Sequence, residues 1–356
     1  MPAVSGRHRA VQGAAMITVL AAGARTLLQD GGRIGYAHLG VPRAGAADLP
    51  SLRRANRLVG NRNDLMAGLE ITLSGPTLRF ESDSLLALSG ATLAAELDGR
   101  PLAMHQSVAV QAGQTLVCGR VHEGVRSYLA VRGGIRTPGV LGSVATDTLS
   151  GLGHPVLCNG DVLEIEPTHS TDGFYLRKPE RLGNEITLHV VPGPHTDRFS
   201  EQSFSEFLAH TFTVHADSDR AGVRLVEALQ LPASVGELPS QGMVGGAVQV
   251  PGDGRPIILL PDHGATGGYP VLAVVITADH GRLGQLGAGM KLRFEKVSRD
   301  QALSLLRQQE QGLETDIVAA DEALLEARSL MMLAHAHPEL RDLRMHNISR
   351  RVRLRR

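Results

Sequence analysis

The 356-residue chain predicts a mainly β protein with few helices, and three observations carry that expectation. Its 41 glycines punctuate short apolar segments rich in β-branched residues, which is the grammar of strands and turns. A glycine-containing turn followed by alternating apolar residues recurs at Gln111–Val117, Cys158–Leu163 and Gly287–Leu292, the hairpin unit of barrels and sandwiches. Helical spacing, by contrast, is confined to three stretches.

In chain order, the strands of ordinary length are Ile71–Leu73, Thr77–Phe80, Ser107–Val110, Ser127–Val131, Asp161–Ile165, Glu185–Val191 and Ile257–Leu260. Residues 48–60 predict a helix. Asp48 can accept the free amides at its start, Pro50 suits its first turn, Leu52, Ala55 and Leu58 share a face, and Gly60 closes it. A second helix, capped by Thr196 or Asp197, is expected from Phe204, Phe207 and Leu208 at three- and four-residue spacing. From 298 to 334 there is no proline and Gly312 is the sole glycine, so one or two helices follow, with Leu303, Leu306, Leu313, Ile317 and Leu324 as an apolar stripe.

The length exceeds that at which one hydrophobic core stops growing, so two domains with extensions are expected. The expected division is a disordered extension at 1–15, an N-terminal β domain at 16–170, a polar linker at 171–184, a C-terminal β domain at 185–297 and a helical extension with a basic tail at 298–356. Met16 is the expected true start. The arginine-rich end Arg350–Arg356 reads as a solvated tail, with an acidic partner as its functional alternative.

Lysine and arginine number 36 against 36 acids, so no global field favours nucleic acid or an anionic membrane. Cys118 and Cys158 are too few for a disulfide framework and fit a reducing compartment, a single bridge between them being the alternative. No apolar run is long enough to span a bilayer, and the first fifteen residues lack the apolar core of a secretory signal. A cytoplasmic protein is expected.

No phosphate-loop, His-Glu-x-x-His or Gly-x-Ser-x-Gly pattern is present, and no metal site is expected. Three segments stand out instead. In Thr26–Asp48, glycines allow close backbone approach while Arg33, His38 and Arg43 supply donors for a carboxylate or phosphate; a turn-rich hairpin with solvated arginines is the plainer reading. In Ser218–Arg224, Asp219 lies between a hydroxyl and two guanidiniums, and the plainer reading is a local turn held by an Asp219–Arg ion pair. In Pro261–Pro270, a strand end delivers Asp262 and His263 into a glycine turn, a place for acid/base chemistry or an oxyanion-binding backbone.

Taken together these segments resemble the carboxyltransferase-domain family known as allophanate hydrolase subunit 2, the C component of 5-oxoprolinase, or KipA-like protein. The matching stretches run in order through Leu28–Arg33, His38–Ala46, Ala55–Asn61, Gly68–Pro76, Tyr128–Ile135, Pro192–His195, Ser218–Arg220 and Thr266–Pro270. The resemblance implies two cyclophilin-like β-barrel domains with short helices. It implies a subunit of an ATP-dependent amidohydrolase or carboxyltransferase complex, either 5-oxoprolinase-type opening of 5-oxoproline to glutamate or allophanate/urea-type amide chemistry. The implied partners are a KipI-like protein, which is the B component of such complexes, and a LamB/YcsF-type subunit. ATP would serve the complex at a site the sequence does not assign. Biotin is named by the family, but no biotin-bearing Met-Lys-Met segment occurs.

Carried over residue by residue, the implied catalytic groups are Asp262, His263 and His38. The implied substrate-binding groups are Asp30, Arg33, Arg43, Asp219, Arg220, Thr266, Gly267, Gly268 and Tyr269. Asp262 and His263 are the acid/base candidates, and Arg33 and Arg43 the anion clamps. Ala221 and Val223 stand where the family commonly has Met and Tyr, and Gly264-Ala265 where it often has Gln-Thr, which bears on substrate preference. A regulatory protein that antagonises a KipI-like kinase inhibitor is the rival class. Prolyl isomerase activity would follow from the fold alone and is not expected.

Overall fold

A computed structural model of the chain describes residues 15–168, 173–180, 182–231, 236, 238–320, 324, 325 and 328. The expectations for residues 1–14 and for the basic tail fall outside the described residues; Ala15 opens the strand Ala15–Ala21.

The protein is mainly β, built on two half-barrel sheets with separate cores. The first sheet has ten strands. Its main path runs Arg25–Gln29, Gly68–Thr72, Thr115–Val131, Thr77–Phe80, Ala15–Ala21, Val162–Ile165 and Ile135–Arg136. Ser84–Leu97 lies off that path and pairs with Thr115–Val131 from Leu86↔Val131 to Leu97↔Leu116, with register shifts between Gly90 and Ala95. These two long strands are continuously buried near Leu85–Ser89 and alternate beyond Ala91, so one end is covered on both faces and the other wets one face. Ile17, Leu69, Phe80, Leu88 and Leu129 belong to the core beneath.

The second sheet has seven strands in the order Phe212–Thr213, Lys291–Lys296, Glu185–Pro192, Val271–Val275, Ala247–Gln249, Ile257–Leu259 and Gly222–Arg224. All neighbours are antiparallel except Glu185–Pro192 with Lys291–Lys296. Its core is tied by Phe207 stacked on Phe294 at 4.3 Å between ring centroids.

Helix α1, Leu49–Leu58, forms where its local signals put it. Asp48 Oδ1 accepts from the Ser51 amide at 3.0 Å, Pro50 lies in the first turn, and Leu52, Ala55 and Leu58 are buried. Helix α2, Glu201–Ala209, is capped by Ser200, not by Thr196 or Asp197. The Thr196 hydroxyl instead donates to the carbonyls of Gly193 and Leu272, both at 2.8 Å. That leaves Thr196–Arg198 as a separate 3-10 turn, with extended Phe199 between it and Ser200. Helix α3, His280–Gly284, is short and follows the strand Val271–Val275 through a 3-10 turn.

The expected C-terminal helix is α4, Arg299–Thr315, started by a capping box of Ser298 and Gln301. It ends earlier than the composition suggested, because Ile317–Ala320 forms a strand against Gly173–Leu176. Leu313 is buried and Leu305 and Leu306 pack inward, whereas Leu303 faces out at 39% exposure. No helix among the described residues is long and apolar enough to cross a membrane. Cys118 and Cys158 are both free, and burial pushes the Cys118 thiol up to about 12.

Candidate active site between the two sheets

The loop Ser218–Gly222 begins the site. Asp219 Oδ1 accepts from the amides of Ala221 and Gly222 at 2.8 and 3.1 Å, so the turn is held by backbone hydrogen bonds and not by an ion pair with a neighbouring arginine. This frees Arg220 to enter the interior, where it is 2% exposed. Its Nε and Nη2 donate to the two oxygens of Asp262 at 2.9 Å each, its Nη1 to Glu70, and its Nη2 also to the Gly45 carbonyl at 2.6 Å. The fork thus ties a loop of the second sheet to a strand and a turn of the first.

The acids around Arg220 are fully occupied. Asp262 is completely buried, and its Oδ2 also accepts from the amide and hydroxyl of Thr148 at 3.1 and 2.7 Å. It therefore serves as a counter-ion inside the protein, out of reach of a substrate. Glu70 Oε2 accepts from the Ala47 amide at 3.0 Å and the Tyr128 hydroxyl at 2.8 Å, and Arg126 lies 3.6 Å from Oε1. Burial alone would raise the Glu70 pKa, but Arg220 and Arg126 outweigh it and leave the carboxyl below its ordinary value.

Gln285, directly after α3, completes the junction. Its Nε2 donates to Asp48 at 2.7 Å and to the Arg126 carbonyl at 2.8 Å, while Oε1 accepts from the amides of Val125 and Arg126 at 2.9 Å each. Every hydrogen-bonding direction of this buried amide is used.

Beside this framework lies a cavity of about 210 Å³. The loop before α1 supplies Arg43, Ala44 and Ala46, the turn after Ile257–Leu259 supplies His263, α3 supplies His280, and α4 supplies Leu306, Gln309 and Glu310. Among its cations, Arg53 is paired with Glu310 at 2.6 Å and Asp64 at 3.1 Å. Arg43 donates to the Gly31 carbonyl at 3.3 Å and has no acid within ion-pair distance among the described residues.

Both histidines are held by carbonyls, which accept only. His263 Nδ1 lies 2.7 Å from the Gly264 carbonyl and must carry the proton there, leaving Nε2 with its lone pair. His280 Nε2 lies 3.3 Å from the Val275 carbonyl, leaving Nδ1 with the lone pair. Burial depresses both imidazoles, and Arg43 adds to this at His280, so both are neutral bases at pH 7. Gly246 (φ +81°) lines the same wall; a Cβ there would stand 2.7 Å from His280 Nε2 and 2.9 Å from the Val275 carbonyl. The backbone must therefore run bare past the imidazole.

Of the residues singled out from sequence, the structure brings Arg43 and His263 to this cavity. Arg220 and Asp262 lie buried in the junction. Asp30 accepts from Gly32, Ser143 and Val144 and so fastens loops of the first sheet. Arg33 is buried behind those loops, and His38 is exposed on the 3-10 turn Ala37–Leu39. Asp219 is exposed in its own turn. Thr266 and Gly267 pair with Gly242 and Gln241, Gly268 accepts from the Leu238 amide, and Tyr269 lines a separate pocket with His215 and Arg255. None of these lines the cavity.

Sequence reasoning missed Glu70, His280, Gln285 and Arg126. Only Glu70 left a signal, as a charge within the apolar run Gly68–Ile71. Among the described residues no cluster could hold a metal ion.

Residues 39–296 match the family described as carboxyltransferase domain, subdomain A and B. The chain is 38% identical over 304 residues to the C component of 5-oxoprolinase from Escherichia coli, covering 84% of this chain and 97% of that one. It is 35% identical over 323 residues to urea amidolyase of Saccharomyces cerevisiae, covering 84% of this chain but only 18% of that much longer protein. The solved urea amidolyase of K. lactis superposes with a TM-score of 0.77 at 32% identity, over 84% of this chain and 20% of that one.

Proposed function

Because the chain belongs to the carboxyltransferase-domain family, subdomains A and B, we propose that it is one subunit of an ATP-dependent complex that cleaves an amide, with 5-oxoproline as substrate and glutamate as product. The observation that carries this reading is the cavity in which Arg43, lacking an acidic partner among the described residues, faces a space shared with two neutral imidazoles. A lactam acid presents one carboxylate and one planar amide. Arg43 takes the carboxylate as a charge-assisted pair. His263 Nε2 accepts a proton from the attacking water as its oxygen bonds to the carbonyl carbon. The C–N bond then breaks, and the proton passes to the departing nitrogen. Asp262 acts through Arg220, fixing the strand end that presents His263.

The cavity does not fit a nucleoside triphosphate: no aromatic side chain lines it for adenine, and Arg43 is its one cation without an acid among the described residues. ATP is read as serving the complex at a partner or at the interface with one. A biotin ureido ring is also a planar amide, and the apolar lining of Ala44, Ala46, Leu49 and Leu283 with the two imidazoles fits it in kind; such a group would supply a carboxyl for transfer. The partners are a KipI-like protein as the B component and a LamB/YcsF-type subunit, working in the cytoplasm. Relatives matched over nearly their whole length are subunits of an enzyme, which favours the hydrolase over the regulatory reading.

The test is glutamate release from 5-oxoproline and ATP, by the chain alone and with both partners. Activity is expected only in the full mixture, and Arg43→Ala and His263→Ala should each lower it by about 10²–10⁴-fold. A stable assembly without glutamate release, or full activity in both variants, would overturn the assignment.

A further inference from the structure

Arg33 is 2% exposed, yet only its Nη2 is used, donating to the Ala145 carbonyl at 2.6 Å. Its Nε and Nη1 are buried without a hydrogen-bond partner, and no acid lies within ion-pair distance among the described residues. A guanidinium sealed away without a counter-ion is costly, and such a group calls for a partner that the described residues do not provide. The segment before Ala15 contains Arg7 and Arg9 but no acid, so it does not supply the missing charge.

Around Arg33, two loops are stitched together by Asp30, which accepts from Ser143 Oγ at 2.6 Å and the Val144 amide at 2.8 Å, and by Arg33 itself at Ala145. These loops expose large apolar side chains: Ile34 at 70%, Leu39 at 65%, Leu149 at 62%, and Val140 and Leu141 at 39% each. Five such side chains on adjoining loops around one unpaired arginine match the pattern of an interface hot spot, an anchor charge ringed by apolar contacts. None of them lines the 210 Å³ cavity.

We propose that this surface is the docking site of the KipI-like partner, which presents an aspartate or glutamate side chain to Arg33 among apolar side chains of its own. The inference rests on the reading of the chain as a subunit. The turn that overlies the guanidinium is bare at the point of contact, since a Cβ on Gly153 would collide with Arg33 Nη2. Docking requires that turn to shift, so that a carboxylate of the partner reaches Arg33 and its charge offsets the desolvated guanidinium.

The chain and its KipI-like partner are mixed and followed by size-exclusion chromatography and titration calorimetry, with thermal midpoints recorded for the chain alone. Arg33→Met should weaken pairing at least tenfold while leaving the midpoint unchanged or higher, because an uncompensated buried charge has been removed. Leu149→Asp, at an exposed position, should weaken pairing similarly without altering the midpoint. If the unaltered chain pairs and both variants pair equally well, this surface is wrong while the subunit reading stands. If the unaltered chain pairs with no KipI-like protein, both fail. Loss of a homodimer in Arg33→Met, with binding of the KipI-like protein retained, would assign the surface to a second copy and overturn the proposal.

Discussion

His105 occupies the left-handed backbone region (φ +60°), which few side chains tolerate, and the residue is half-buried. Burial, reinforced by the Arg54 charge, lowers its pKa from 6.5 to about 4. The unfolded chain therefore takes up a proton between pH 6.5 and 4 that the folded protein refuses. Stability falls as pH falls through that window, by about 3 kcal/mol from this group. His263 and His280 are depressed in the same direction and steepen the loss. In His105→Asn, which keeps a side chain tolerant of positive φ, the difference between urea unfolding free energies at pH 7 and pH 4 should shrink by about 3 kcal/mol. An unchanged difference would mean that the imidazole is protonated in the folded state. At this same scale the site was only partly legible. Arg43 and His263 could be read because each sits in a glycine-rich turn after a strand or before a helix. His280 could not, since a lone histidine opening a five-residue helix has no pattern around it, and its depressed pKa comes from burial and from Arg43, neither visible along the chain.

Among elements, α1 was readable because its signals are local: Asp48, Pro50 and the Leu52–Ala55–Leu58 face all act within ten residues or so. The strand Ser84–Leu97 was not read at all and Thr115–Val131 only at its two ends, because the register shifts near Gly90–Ala95 break the alternation that reveals a strand. The strand Ile317–Ala320 was absorbed into an expected helix, because its partner Gly173–Leu176 lies far off in sequence. The contact of α3 with the start of α1 was equally hidden and is sharply defined in space. A Cβ on Gly284 would collide with the Ala47 carbonyl oxygen and stand 2.9 Å from the Asp48 amide, both backbone atoms. Gly284→Ala should therefore push α3 away from α1, loosen the hydrogen bonds of Gln285 next to it, and destabilise by about 1–3 kcal/mol in denaturant melts. Gly252→Ala, where nothing lies within 4 Å, is the matched control and should be neutral. Equal losses in both would show that the close approach does not set the cost.

In the whole molecule, the two sheets keep separate cores, so their relative placement rests on the polar junction between them. Arg220 is its centre, bridging Glu70, the Gly45 carbonyl and both oxygens of Asp262. The cavity that holds Arg43, His263 and His280 is walled from both sides of that junction, so the junction fixes the distance between groups that belong to different sheets. Replacing Arg220 by Met keeps apolar bulk but strands two buried carboxylates, a loss of about 3–5 kcal/mol. Arg220→Lys should recover little, because a single ammonium cannot replace a planar fork with this geometry. Neutralising the acids as well, in Glu70→Gln/Arg220→Met/Asp262→Asn, should restore part of the stability, since the two stranded carboxylates are gone while Arg126 is left without the charge of Glu70. Glutamate release by the assembled complex should nevertheless stay low in that triple variant, because the fork that aligned the two walls is gone. If stability and activity returned together, the junction would be a charge-neutralising device alone, and the alignment of Arg43 with the two imidazoles would have to come from α3 and α4.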